Sequence, residues 1–514
     1  MPRAQLFSDV IRTQALERPE SVAATCNGLN LTYGELDDRA SRVAQGLIAA
    51  GCRPHARVAI LSKNSNAFIE ILGGTLKARA VLLALNWRLA ASELRYILDH
   101  GEAQVLFVEA ELADLAGQAA EVLREPGQVI LIGPGQEYES WRDSQSAKDP
   151  ELGGALSDIF VQMYTSGTTG LPKGVQLTHA SYAASFAAMD TLDWNQSGPE
   201  DTIFAPAPFF HVNGLNGILR SLQTGSRLLT TQQFVPSEVV ALFESERVTR
   251  GGMAPAMVQM CLEVPGIAER DFSALRLMVY GGSPISETVM KKARDVFGCD
   301  FAQGYGMTET SGPLTMLTPE DHRDDSRLLA CGRPLAGIEV KVVRPDGSTC
   351  DPREVGEVVT RGDMLTPGYW KDPKATAETI RDGWLHTGDA GYFNEEGYLH
   401  IHDRVKEMIV SGGENVYPAE VENALAKDPD IADVAVIGVS DEKWGEAVKA
   451  IVVLRPGAAA DGPAIISRVR AHIAGYKAPK SVEFIDVIPR NPSGKILRRD
   501  LRKPYWADRA RAVN

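Results

Sequence analysis

The chain is 514 residues long, enough for two to four domains around a large buried core, which excludes a minimal binding module. Lys and Arg number 53 against 67 Asp and Glu, a net charge of −14, so no nucleic-acid partner and no general attraction to an anionic membrane is expected; any phosphate must be held locally. The 44% hydrophobic and 23% charged fractions are those of a globular chain, and no stretch of ~18 apolar residues runs without polar interruption, so no membrane span is expected.

The first twenty residues carry Arg3, Asp9, Arg12, Glu17 and Arg18 and no long apolar stretch, so a secretory leader is not expected. Leu36, Ala40, Val43, Leu47 and Ile48 fall on one helical face that Gly51 can end, and residues 58–61 read as a short strand before a helix at 67–76. This alternation predicts α/β layers. An apolar strand over 158–164 runs into a Gly/Thr/Ser loop, and the same pattern returns at 275–282. A helix bearing Val289, Ala293 and Val296 stops at Gly298 and a strand into Gln303 follows, a βαβ unit most simply read as parallel. From 338 to 399 short strands alternate with turns such as Pro345-Asp346-Gly347 and Asp382-Gly383, which predicts a β-rich subdomain. A boundary near Asp403 then divides the chain into 1–402 and 403–514. The second part reads as α+β: a helix from Pro418, strands near 434–439 and 447–454, a helix over 463–474 and a strand at 482–486. Its tail, 490–514, holds eight Lys and Arg against two Asp, a composition that by itself means only a solvated basic face. Cys26, Cys52, Cys261, Cys299, Cys331 and Cys350 are scattered without a C-x-x-C, which suits packing in a reducing cytoplasm and disfavours structural zinc.

Residues 164–174 read Y-T-S-G-T-T-G-L-P-K-G. Gly167 and Gly170 let backbone N–H groups turn inward, Thr165, Ser166, Thr168 and Thr169 add hydroxyls, and Lys173 adds a positive charge, a composition suited to a polyphosphate. It is not a Walker A loop, because Pro172 stands where that pattern needs glycine and Lys173 is followed by Gly174. Further strings follow: Y-G-G-S-P-I at 280–285, Q-G-Y-G-M-T-E at 303–309, H-T-G-D at 386–389, D-R-V-K-E-M-I at 403–409, S-G-G-E-N-V-Y-P at 411–418 and N-P-S-G-K-I at 491–496. Glu309 is a good magnesium ligand and Thr308 beside it reaches phosphate oxygens; a surface carboxylate is the plainer alternative. Asp389 can accept from two ribose hydroxyls and Arg404 can donate to the same sugar, with a structural salt bridge as the rival reading. Tyr305 offers a flat face for adenine.

Taken together these strings resemble the adenylate-forming superfamily of acyl-CoA synthetases, peptide-synthetase adenylation domains and beetle luciferases, over almost the whole chain. The sequence is most similar to bacterial acyl-CoA ligases acting on fatty or aromatic acids. The resemblance implies an α/β fold, with a large N-terminal domain of layered α/β subdomains plus a β-rich subdomain, and a small mobile α+β C-terminal domain swinging about Lys406. It implies ATP and CoA as co-substrates, with Mg²⁺ held by Glu309 and Thr165. The implied ATP and AMP site comprises Thr165, Ser166, Gly167, Thr168, Thr169, Gly170, Lys173, Gly281, Gly282, Ser283, Gln303, Gly304, Tyr305, Gly306, Met307, Thr308, Glu309, Asp389, Arg404 and Lys495. Lys495, Glu309, His211 and Thr165 are the expected catalytic residues, with Lys495 entering the site only for adenylation. Gly412 and Gly413 would open a channel for pantetheine, and Arg88, Trp444, Lys477 and Lys480 would meet the CoA nucleotide. A homodimer is compatible with the resemblance.

The acyl pocket is expected from Phe210, His211, Val212, Asn213, Gly281, Gly304 and Met307, with His211 as a gate. Amino-acid-activating relatives place an aspartate after the phenylalanine, but here His211 follows Phe210. Malonate-type ligases place an arginine just before Y-G-M-T-E, but here Gly304 stands there. Gly281, Gly282, Gly304 and Gly306 are expected to leave room, and the acid is read as a medium- or long-chain fatty acid or an aryl acid. The alternative is an adenylation-only enzyme that loads a carrier protein.

Overall fold

The computed structural model describes residues 5–124, 127–165, 172–283, 285–404, 407–411, 414–441, 445–470, 473, 475–490 and 496–506. Contacts divide the chain into two compact units. The first holds Met1–Leu328, Gly332–Val340 and Thr360–Leu385; the second holds Leu329–Cys331, Lys341–Val359 and His386–Asn514.

In the first unit a sheet runs, edge to edge, through Gln128–Ile132, Ala103–Glu109, Arg57–Leu61, Val81–Ala84, Ile159–Thr165 and Lys173–Thr178. The pairs are parallel until the last, which is antiparallel. Such strands are covered on both faces and therefore read as unbroken apolar runs. In Arg57–Leu61 the period-2 alternation sends Val58 and Ile60 into one core, with Phe68 and Leu72, and Ala59 and Leu61 into another, with Leu94 and Leu98. The helix Tyr33–Ala49 starts at a capping box, in which Thr32 and Glu35 satisfy each other's backbone N–H groups, so its first turn is specified locally. It packs on the helix Asn66–Lys77, whose terminal Lys77 is fully buried; Nζ lies 2.6 Å from Asp37 Oδ1 and 2.7 Å from Asp149 Oδ2. That cluster ties both helices to the distant 149 segment, and losing both carboxylates would strand the buried ammonium.

A second sheet in the same unit carries the expected βαβ unit. Leu277–Gly281 and Asp300–Met307 are parallel, and the helix Glu287–Phe297 crosses between them. Neighbouring strands Val22–Cys26, Arg227–Thr230, Thr202–Phe204 and Arg250–Met253 continue in parallel, with Gly312–Leu317 antiparallel beyond Asp300–Met307. The second unit contains a mixed sheet of Ile409–Ser411, Glu414–Val416, Gly445–Leu454, Ile431–Asp441 and Ser481–Phe484. Helices Pro418–Leu425 and Gly462–Val469 bury Val421, Leu425, Ile465 and Val469 in the same core as Val436, Val448 and Val452. The expected elements of this part are present within a few residues of their sequence positions.

Among the described residues no helix is long and apolar enough to cross a membrane, and no disulfide forms; Cys26, Cys52, Cys261 and Cys331 are buried thiols.

Candidate active site

In parallel sheets the strand carboxyl ends open onto loops whose backbone groups are not consumed by the ladder, and ligands gather there. Each motif of the first unit leaves such an end: the Gly/Thr loop follows Thr165, Gly282 and Ser283 follow Gly281, and Thr308 and Glu309 follow Met307. Lys173–Thr178 runs back antiparallel on Ile159–Thr165 with Thr165 opposite Lys173, so the described residues that flank the Gly/Thr string form the base of a hairpin. The hydroxyl and the ammonium assigned to phosphate therefore stand side by side at its base. Just below, the Tyr164 hydroxyl lies 2.7 Å from His100 Nδ1 and accepts from Gln162 Nε2 at 3.2 Å, which anchors the strand end. Ser166, Gly167, Thr168, Thr169 and Gly170 lie outside the described residues.

Glu309 is not a surface group at a strand end. It is 5% exposed, on a short 3-10 turn, Thr308–Thr310, whose Thr310 hydroxyl accepts from Met307 N–H and donates back to nearby carbonyls. The carboxylate accepts a hydrogen bond from the Tyr369 hydroxyl at 2.9 Å, and Lys173 Nζ lies 5.0 Å from the centroid of the same ring. A buried carboxylate and a lysine thus meet on either side of the Tyr369 ring, the lysine at the strand end opposite Thr165. Among the described residues no group of three or more His, Cys, Asp or Glu converges into an all-protein metal cage. That donor set fits magnesium, which keeps several waters and is bound by one or two carboxylates plus substrate phosphates.

The two strings assigned to adenine meet in the sheet: Tyr280 is opposite Gln303 and Gly281 opposite Gly304. Gln303 is buried, Tyr305 half-buried and Gly306 exposed. The expectation that the glycines leave room needs correction for three of them. A Cβ on Gly281 would meet the Gly304 carbonyl oxygen at 2.5 Å, one on Gly304 would meet Met316 Sδ at 3.2 Å, and one on Gly306 would meet the Gly312 oxygen at 2.2 Å. Those positions serve close strand approach. Gly282, with φ +81°, has only Asn213 Nδ2 nearby at 3.8 Å, which brings the 207–214 string alongside the adenine string.

That string precedes the helix Val212–Thr224. Phe210 is buried, His211 and Val212 are half-buried, Asn213 is exposed, and the His211 ring lies 4.5 Å from that of Phe210. Burial, reinforced by the Arg88 charge, pushes the His211 imidazole down to about 4, so it is neutral at physiological pH. Its Nε2 is buried without a hydrogen-bond partner among the described residues. Arg88 is exposed, its guanidinium 4.2 Å from the Trp87 ring centroid.

Sequence reasoning missed what holds this segment. Asn64, 4% exposed in the loop after Arg57–Leu61, accepts from Phe209 N–H at 2.9 Å and donates to the Ala207 carbonyl and Thr230 Oγ1, both at 3.1 Å. One side-chain amide thereby joins the carboxyl ends of two sheets, and an asparagine in S-K-N-S gave no local signal for it. Asn64→Ala is expected to cost about 2–4 kcal/mol, because it orphans buried donors and acceptors. It should raise KM for the carboxylic acid more than KM for ATP in steady-state assays; equal rises would show that the 207–211 segment does not belong to the acid site. His322 was also missed: its Nδ1 bonds the Thr318 carbonyl at 2.7 Å, leaving Nε2 to accept from the Tyr280 hydroxyl at 3.0 Å.

In the second unit the backbone ladder places Asp389 directly opposite Arg404, and Asp389 is 8% exposed; the Arg404 side chain is not among those described. Lys477 Nζ lies 2.6 Å from Glu420 Oε1 and Lys480 is exposed. Lys406, Gly412, Gly413, Trp444 and Lys495 lie outside the described residues.

The profile of the AMP-binding enzymes matches residues 11–370, and that of the AMP-binding enzyme C-terminal domain matches 420–495. The chain belongs to the AMP-binding enzymes. Like its relatives, this AMP-binding enzyme is an AMP-forming acid–thiol ligase. It is 40% identical to the fatty acid–[acyl-carrier-protein] ligase ScoC of Streptomyces coeruleorubidus, over 100% of this chain and 99% of that protein. It is 38% identical to a feruloyl-CoA synthase of an Amycolatopsis species, over 95% and 96%. Among solved structures, a Mycobacterium tuberculosis fatty acyl CoA synthetase superposes with a TM-score of 0.78 at 35% identity, covering 98% of both chains.

Proposed function

We propose that this AMP-binding enzyme converts a medium- or long-chain fatty acid, or an aryl acid, to its CoA thioester through an acyl-adenylate. The substrate carboxylate oxygen bonds to the α-phosphorus of ATP as pyrophosphate leaves; the CoA sulfur then bonds to the acyl carbon as AMP leaves and the thiol proton is released. Both steps build charge on phosphate and carbonyl oxygens, so the protein's task is to place positive charge and donors rather than a nucleophile.

Lys173 and the hydroxyls of Thr165, Ser166, Thr168 and Thr169 would take the β- and γ-phosphates. Glu309 and Thr165 would hold magnesium, which screens phosphate charge when bound. Asp389 and Arg404 would hold the ribose, and Tyr305 the adenine. Lys495 would meet the α-phosphate and the carboxylate; residues 403–514 would then swing about Lys406 and present Gly412 and Gly413 to pantetheine. Arg88, Trp444, Lys477 and Lys480 would receive the CoA nucleotide.

The reading of the acid rests on His211. A neutral imidazole beside a buried phenylalanine, at the position where an ammonium-binding aspartate would stand, suits an uncharged acyl or aryl group. The near full-length likeness to a ligase named for an acyl-carrier protein supports a second reading, in which the thiol belongs to a carrier's phosphopantetheine. One experiment separates them: AMP release with Mg·ATP and a panel of fatty, benzoic and cinnamic acids, with CoA, with a phosphopantetheinylated carrier protein, or with neither. CoA-dependent AMP release with matching thioester is the expected result. Pyrophosphate exchange that CoA does not pull forward, with acyl transfer to the carrier, would replace the first reading by the second.

A further inference from the structure

Tyr369 belongs to none of the strings that pointed to nucleotide chemistry, yet it touches two of them. Residues 366–370 run as a strap along the hairpin of the Gly/Thr loop: Trp370 N–H donates to the Gly174 carbonyl at 2.7 Å, Gln176 N–H donates to the Gly368 carbonyl at 3.2 Å, and Tyr369 bridges Val175. At one end Thr366 N–H donates to the Glu309 carbonyl at 2.8 Å while its hydroxyl donates to the Gln176 carbonyl at 2.6 Å. At the other, Trp370 Nε1 donates to the His100 carbonyl at 2.9 Å under the Arg57 guanidinium, 3.5 Å from the indole centroid. The strap is thus tied at both ends, and Tyr369 is 9% exposed.

From this fixed position we propose that Tyr369 is a positioning residue for Mg·ATP: its hydroxyl aims the Glu309 carboxylate, and its ring holds the Lys173 ammonium without neutralising it. The inference rests on the reading of Glu309 as the magnesium ligand and Lys173 as a phosphate ligand. A carboxylate buried to 5% exposure turns freely about its last torsion unless a donor fixes it, and the phenol at 2.9 Å is such a donor. Lys173 meets no carboxylate among the described residues; its contact is the ring face at 5.0 Å. A cation on an aromatic face keeps its charge and leaves easily, whereas an ion pair would have to be broken before a phosphate could bind. Without the ring, the ammonium loses the aromatic face that holds it beside the Glu309 carboxylate, and the two are expected to pair. Each would then block the other's ligand.

The test compares Tyr369→Phe, Tyr369→Leu and Glu309→Gln by equilibrium binding of ATP across a magnesium titration, with no acid present, and by binding of AMP without metal. Thermal midpoints serve as the check on folding. Tyr369→Phe keeps the ring and loses the donor; the magnesium concentration for half-saturation is expected to rise roughly ten- to a hundredfold, the scale of one hydrogen bond to a charged group, with AMP binding unchanged. Tyr369→Leu is expected to add a further loss of metal-free ATP binding, restored in Tyr369→Leu/Glu309→Gln because the trapping carboxylate is gone. If Glu309→Gln shifts the magnesium requirement and Tyr369→Phe does not, the positioning role is overturned while the reading of Glu309 stands. If Glu309→Gln shifts nothing, both fall. A failure of the double variant to restore binding overturns the role of the ring.

Discussion

Lys495→Ala is expected to slow acyl-adenylate formation about a thousandfold while leaving thioester formation from supplied acyl-adenylate within about tenfold of the parent. The size follows from one charge: at ~4 Å and an effective dielectric of ~20, a lysine opposite the developing charge contributes on the order of 4 kcal/mol, and each 1.4 kcal/mol or so is a factor of ten in rate. The asymmetry follows from the two steps. Negative charge accumulates around the α-phosphate as the carboxylate attacks, but in the second step AMP leaves an acyl carbon whose stabilisation needs no cation at that place. Pre-steady-state measurement of pyrophosphate release, set beside single-turnover consumption of acyl-adenylate by the thiol, reads the two separately. Equal losses in both would remove Lys495 from the role it is given. Lys477→Ala makes the contrast: that ammonium is already bound 2.6 Å from Glu420, so its loss is expected to touch neither chemical step and at most to raise KM for the thiol substrate.

Glu309 shows how far the sequence carried the site and where it stopped. Its type and its place in Q-G-Y-G-M-T-E marked it for a metal, and the structure puts it at a strand end, beside Thr308 as expected. Its contact with Tyr369 was not legible, because residues 366–370 reach it only by pairing with the strand Lys173–Thr178. That strand was itself invisible: K-G-V-Q-L-T is a short string of mixed composition, and only its ladder to Ile159–Thr165 makes it one. Asn64 and His322 were missed for the same reason. Each acts through hydrogen bonds to residues distant in the chain, and neither sits in a pattern with local periodicity. Helices with a buried stripe, by contrast, declare themselves. Tyr33–Ala49 and Glu287–Phe297 lie where their apolar spacing put them, because the face that packs is written at intervals of three and four. The glycines misled for a geometric reason. An absent side chain signals that something is close by as readily as it signals space, and at Gly281 and Gly306 the space is taken by the neighbouring strand.

Gly332→Ala is expected to be the most destabilising single methyl in the first unit, by about 4 kcal/mol or more. Gly332 has φ +82°, and a Cβ there would lie 1.9 Å from the Met316 carbonyl carbon and 2.2 Å from the Leu317 nitrogen. These are backbone atoms of the strand Gly312–Leu317, where Leu314, Met316 and Leu317 are buried, so no rotamer change relieves the overlap. The strand Arg333–Pro334, which Gly332 leads into, would have to leave its pairing with Thr315 and Met316. Gly337→Ala, in the same unit, is the control: φ is +78° but a Cβ would meet nothing within 4 Å, so it carries only the left-handed backbone penalty of about 1–2 kcal/mol. The difference between the two variants in denaturant midpoint isolates the overlap from the strain. Activity should follow in the same order, because Gly312–Leu317 pairs with Asp300–Met307 and so holds the strand from which Glu309 emerges. A Gly332→Ala variant as stable as Gly337→Ala would mean that the Arg333–Pro334 pairing can move away without cost, and that the floor beneath the nucleotide strings is not set there. With a total stability of roughly 5–15 kcal/mol for a domain, a loss of about 4 leaves about 1 kcal/mol at the bottom of that range, where roughly one molecule in six is unfolded, so soluble yield and midpoint must both be read.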